Sequence, residues 1–105
     1  MDCLYGARTT VAQVINDLNA PDDFFMGAFV LGDTDEESRA AIAQLLELSG
    51  KDALDLGHAW NEFAVPNWDL MRGWKDDGLA RYIGVSRNAT KHYEDIIKLM
   101  NTGDV

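Results

Sequence analysis

Apolar positions along the chain alternate between two patterns, helical spacing and short unbroken runs. Val11, Val14, Ile15 and Leu18 recur at i, i+3, i+4 and i+7, with Thr9 or Thr10 placed to cap that helix. "NAPDD", residues 19–23, breaks it, because Pro21 removes a donor and biases Ala20 away from helix. Residues 24–31, "FFMGAFVL", form a near-continuous apolar run whose length suits a strand buried on both faces. Thr34 and Glu37 then fit a capping box, with Asp35, Glu36 and Glu37 where a helix start favours anions. Ile42, Leu45, Leu46 and Ser49 share a face of this second helix, and Gly50 suits its C′ position.

The same alternation continues. Residues 53–60, "ALDLGHAW", predict a second strand, and Pro66 suits the first position of the next helix. Trp68, Met71 and Trp74 share one face of that helix, which Gly78 ends. A third strand is predicted over residues 81–85 and a last helix over 90–101, with Tyr93, Ile96, Ile97 and Met100 on its inner face. Strands alternating with helices imply parallel pairing through right-handed crossovers. The unit is about one strand per 25–30 residues, the rhythm of a (β/α) barrel or a doubly wound sheet. The expected fold is a single α/β unit over residues 1–105, with about three strands and four helices.

In such sheets functional groups gather beyond the carboxyl ends of the strands. Those positions are Gly32-Asp33-Thr34, Trp60-Asn61-Glu62 and Ser86-Arg87-Asn88, with Tyr5-Gly6 on the same rim if the chain begins by leaving an earlier strand.

Composition narrows the partners. The 105 residues carry 18 acidic and 9 basic side chains, a formal net charge of -9, which disfavours nucleic acids and anionic membranes. No apolar run approaches a membrane span, and the first ten residues lack the apolar core of a signal peptide. Cys3 is the only cysteine, so an internal disulfide or a cysteine-based metal site is excluded. Cytoplasm is the expected address. "NAT" at Asn88–Thr90 matches a glycosylation sequon only by pattern.

Common catalytic motifs are missing. The sequence has no phosphate loop, no G-x-G-x-x-G and no G-x-S-x-G elbow, and His58 and His92 lack metal-ligand spacing. His58, late in a strand near Glu62, suits either a general acid–base or a partly buried histidine with a backbone partner. The tryptophans read as packing residues, and the acidic set Asp33, Asp35, Glu36 and Glu37 as a helix start.

One stretch carries a family resemblance. "WKDDGLARYIGVS", residues 74–86, resembles the aldo/keto reductases, in which a tryptophan–lysine helix end and a glycine precede "IRYIGVSN". Earlier pieces agree in order: "YGARTTVAQVINDL" with that family's tyrosine–glycine and following helix, "FFMGAFV" with its third strand, and "ALDLGHAWN" with "iDLyqvHn". The resemblance implies an internal segment, strands three to five, of a (β/α)₈ TIM barrel that reduces carbonyl substrates with NADPH or NADH. It casts Tyr5 as proton donor, with the assisting aspartate falling before the chain begins. The lysine position falls on Phe29. The histidine position falls on Trp60 without a gap, or on His58 with a shift of two. Ser86 takes the place of a serine that contacts the nicotinamide amide, and Arg87, the neighbouring candidate cofactor contact, stands where asparagine is usual.

The replacements bear on chemistry. A tyrosine of pKa about 10 is a poor acid at neutral pH without a nearby cation. Neither phenylalanine nor tryptophan supplies one. Two functions from different classes follow: a reductase segment, inactive alone, or a non-catalytic interaction module on a reductase-like scaffold. A fragment, a shortened relative and half of an assembled barrel all fit this length, and open strand edges invite self-association.

Overall fold

A computed structural model describes residues 2–3, 8–30, 32–86 and 93–104. The elements are β1 (Asp2–Cys3), α1 (Arg8–Asp17), β2 (Gly27–Phe29), α2 (Asp35–Ser49), β3 (Leu54–Trp60), α3 (Asn61–Ala64), α4 (Trp68–Asp76), β4 (Ala80–Ser86) and α5 (Tyr93–Met100). All strand pairs are parallel, in the spatial order β1-β2-β3-β4. The expected parallel α/β architecture is therefore present. It carries two elements more than the sequence pattern implied, β1 and α3, each too short to show a period. No described helix is long and apolar enough to cross a membrane.

Local signals set the boundaries. Thr34 accepts the Glu37 N–H at 3.2 Å, and the Glu37 carboxylate accepts the Asp33 N–H at 2.8 Å. Two otherwise orphaned donors at the start of α2 are thus satisfied. Gly50, in the left-handed region at φ 73°, closes that helix by donating to the Leu46 carbonyl. α4 begins at Trp68 after Asn67, so Pro66 lies in the preceding turn rather than at the first helical position.

The core lies between the sheet and its helices. Trp68, Met71 and Trp74 on α4, Ile42 and Leu45 on α2, and Ala12 and Ile15 on α1 are buried. Burial of each large side chain stabilises by roughly 1.5–3 kcal/mol. Both buried indoles have partners: Trp74 Nε1 donates to Asp35 at 3.1 Å and Trp68 Nε1 to Asp104 at 3.3 Å. Arg72 also grips Asp104, with Nε at 2.7 Å, which ties the segment after α5 to α4.

The two outer helices depart from the expected faces. On α5, Leu99 is buried while Tyr93, Ile97 and Met100 are exposed. Val14 on α1 and Leu18 in the turn that follows it are exposed. Each apolar stripe is wider than the surface one neighbour covers, and a helix at the edge of a sheet has a neighbour on one side only.

One polar group holds the base of the sheet. Asp55 is 5% exposed, on β3. Its Oδ2 accepts the Met26 N–H at 2.7 Å and lies 3.1 Å from Lys51 Nζ, and its Oδ1 accepts Arg81 Nη1 at 2.9 Å. Lys51 also donates to the Phe24 carbonyl. One carboxylate therefore joins β3, the entry to β2, the α2–β3 loop and β4. It explains why β2 is shorter than the apolar run: the Met26 N–H goes to Asp55, and the ladder starts at Gly27. Burial pushes the Asp55 carboxyl up, but the Met26 N–H, Lys51 and Arg81 outweigh it and hold the pKa below its ordinary value.

Two outcomes are expected. Asp55→Ala leaves Lys51 facing a buried gap and costs on the order of 3 kcal/mol, read by urea unfolding followed through tryptophan fluorescence. The carboxyl's folded pKa lies below its unfolded value of about 3.9, so its contribution is complete above that pH and is lost as pH falls through the folded value. Asp55→Asn should therefore flatten the stability–pH curve in the acid range, and an unchanged slope would contradict this assignment.

Candidate functional site

Register decides which side chains share a face. Gly27, Ala28 and Phe29 of β2 pair with Leu56, Gly57 and His58 of β3, and β3 continues in step with β4, Trp60 opposite Ser86. Because side chains alternate along a strand, Phe29, Leu56, His58, Trp60, Tyr82, Gly84 and Ser86 fall on one side of the sheet. Gly57 faces the other, where an added Cβ would meet the ring of Trp74 at 3.7 Å. The first set faces away from the covering helices, the side that forms the interior when such a sheet closes.

Three aromatic rings dominate that side. Phe29 meets His58 edge-on at 5.1 Å between centroids and Trp60 edge-on at 5.3 Å. Such pairs add about 0.5–1.5 kcal/mol beyond area burial. His58 has room for this contact because its neighbour on β4 is glycine: a Cβ on Gly84 would sit 3.3 Å from the His58 Cβ and from Leu56 Cδ1. Trp60 stands one step nearer the carboxyl rim, level with Ser86, and His58 one layer below. Tyr5 and Arg87, the other two residues expected at the site, lie outside the described residues.

Beyond the rim lies an open groove of about 620 Å³, lined by Val30, Gly32, Asp33, Trp60, Glu62, Phe63 and Asn67. Sequence reading placed Asp33, Trp60 and Glu62 at strand ends but did not foresee Phe63 and Asn67, which α3 and its turn carry to the same place. Asn67 donates to the Phe63 carbonyl at 2.8 Å, and Phe63 stacks on Trp74 at 6.2 Å. The groove thus has one aromatic wall and carboxylates at its margin, and none of its described lining residues is basic. Asp35, Glu36 and Glu37, grouped with Asp33 in the sequence, form the first turn of α2 instead.

The backbone of this sheet has known counterparts. Over 92% of its length the chain superposes on the aldo/keto reductase of Brucella melitensis, with a TM-score of 0.68 and 27% sequence identity, while covering 41% of that protein. The chain is built like a segment of an aldo/keto reductase. It also matches the aldose reductase of Schistosoma japonicum at a TM-score of 0.65, covering 92% of this chain and 42% of that one; at 20% identity this likeness is one of fold alone. No family sequence model and no curated protein sequence matches the chain significantly. The chain therefore spans about two-fifths of the reductases it resembles, and its four parallel strands correspond to part of a TIM barrel.

That likeness puts the aromatic set in context. Phe29 and Trp60 meet edge-on, with 5.3 Å between ring centroids, on the interior side. His58 packs on the same phenylalanine.

The rim also depends on Gly32. A Cβ there would lie 2.7 Å from both Ser38 N and Ser38 Oγ at the start of α2. Gly32→Ala must displace backbone, and is expected to lower stability by about 1–3 kcal/mol. The comparable change at Gly103, which has nothing within 4 Å but a φ of 81°, should act through backbone strain alone. Equal urea midpoints for Gly32→Ala and the native chain would contradict this packing.

Proposed function

We propose that this chain is a reductase-derived barrel segment that retains the scaffold of NAD(P)H-dependent carbonyl reduction but does not itself transfer hydride. The observation that carries this reading is the edge-on packing of Phe29 with Trp60, at the positions that the resemblance assigns to a lysine and, aligned without a gap, a histidine. Proton donation by a tyrosine to a carbonyl oxygen needs a group that lowers the tyrosine's pKa from about 10. Phenylalanine carries no charge. Tryptophan has one N–H donor and does not titrate. Losing such partners costs about 10² or more in rate for each.

Cofactor affinity follows the same logic. A nicotinamide dinucleotide brings several negative phosphate charges. This chain carries a net charge of -9, and its rim groove has Asp33 and Glu62 at the edge with no basic side chain among the described lining residues. NADPH and NADH are the cofactors that the scaffold suggests, with Ser86 and Arg87 as the contacts and Tyr5 and His58 as the acid–base candidates. A small carbonyl compound is the substrate class. In this reading the chain meets neither cofactor nor substrate productively on its own. A reducing, cytoplasmic setting suits its single cysteine.

The test uses the purified chain with NADPH and a simple aldehyde. Nicotinamide absorbance should stay constant, and nicotinamide fluorescence should show no transfer from tryptophan at millimolar cofactor. Steady, protein-dependent oxidation of NADPH that Tyr5→Phe abolishes would overturn the proposal.

A further inference from the structure

Exposed apolar side chains are not scattered evenly over this molecule. Nine large ones are exposed among the described residues, and six of them, Val14, Leu18, Tyr82, Tyr93, Ile97 and Met100, lie in α1, the turn directly after it, β4 and α5. Single exposed apolar groups are ordinary on a protein surface, but concentration in one kind of place is not. These three elements lie toward the two ends of the fold: α1 follows the edge strand β1, and β4 with α5 forms the opposite edge. The inner helices α2 and α4 instead bury Ile42 and Leu45, and Trp68, Met71 and Trp74.

We infer that two copies of this chain close into one eight-stranded barrel, with β4 and α5 of each copy meeting β1 and α1 of the other. The inference rests on the reductase-type scaffold, not on the loss of its chemistry. The strand count commits it to a second copy. Among the described residues the sheet holds four parallel strands with open edges at β1 and β4, and a TIM barrel closes with eight. Four strands subtend half that ring, so a twofold rotation brings each open edge against the opposite edge of the partner. A head-to-tail contact that closes after two copies gives a discrete dimer, whereas one that does not close gives filaments. Closure also removes both free edges, which otherwise template further strand pairing.

The side chains fit the two identical seams. Leu18, in the turn that ends α1, is 76% exposed, and Ile97 on α5 is 54% exposed. Helices flanking adjacent strands of a closed barrel pack against each other, so the α5 stripe of one copy meets the α1 stripe of the next. Tyr82, 51% exposed on the interior side of β4, gains a covered position when the ring closes. Charge opposes the association, because each copy carries -9. Apolar seams between like-charged halves should tighten as salt screens the repulsion.

Sedimentation velocity of the chain at high-micromolar concentration tests this directly. The native chain should sediment as a compact species of twice 11.7 kDa, and more completely in high salt than in low. Leu18→Lys and Ile97→Glu, both at surface positions of the single chain, should each leave the helical circular dichroism intact and shift the protein to monomer. Val65→Lys, an exposed apolar position on the α3–α4 turn, should leave the dimer unchanged. A native chain that stays monomeric, a ladder of larger assemblies, or a dimer indifferent to both Leu18→Lys and Ile97→Glu would overturn the inference. None of these outcomes bears on NADPH turnover, so this inference and the proposed function fail separately.

Discussion

A single buried carboxylate organises the base of this sheet. Parallel strands make no hairpins, so neighbours far apart in sequence need something beyond the ladder to hold their register. Asp55 supplies it by accepting from the Met26 N–H, Lys51 and Arg81 at once. A charge taken out of water costs several kcal/mol unless its partners are well placed. Here both oxygens have partners, and the result specifies where β2 enters and where β4 lies beside β3. The remaining elements follow from that register: helices cover Met26, Ala28, Val30, Ala59 and Ile83, and the alternate residues face the interior side.

The interior side is where scaffold and chemistry separate. The backbone follows the aldo/keto reductase path over 92% of this chain, and on its interior side Phe29, His58 and Trp60 form an aromatic set. Edge-to-face packing stabilises such a set without needing solvent or a ligand. Gly84 leaves space beside His58, since an added Cβ there would lie 3.3 Å from the His58 Cβ. Fold alone does not fix function, and the likeness here is one of backbone geometry.

Much of this was legible in the residues. The apolar runs, the Thr34–Glu37 box and the glycine stops located β2, β3, β4 and α2 to within a few positions, because each is a local signal. β1 and α3 were not legible, since elements of two and four residues complete no period. The inner faces of α1 and α5 were read too broadly: periodicity shows that a stripe is apolar, not how much of it a neighbour covers. The Asp55 anchor was signalled only by an aspartate inside "ALDLGHAW", an acid in an otherwise apolar strand, which demands buried partners. Nothing in the sequence named Met26 as one of them, because a backbone donor has no sequence signature. The meeting of Phe29 with both His58 and Trp60 needed the register, which a list of strands does not contain.

Amide hydrogen exchange at Met26 tests the central claim most directly. Its N–H lies just outside the β2 ladder, and Asp55 accepts it at 2.7 Å. The account expects this amide to exchange as slowly as those of β3 at neutral pH, and to lose its protection selectively when Asp55 becomes alanine. Exchange at Met26 as fast as at Asp22 or Asp23 in the preceding turn would contradict the anchor, and with it the register that places Phe29 against Trp60.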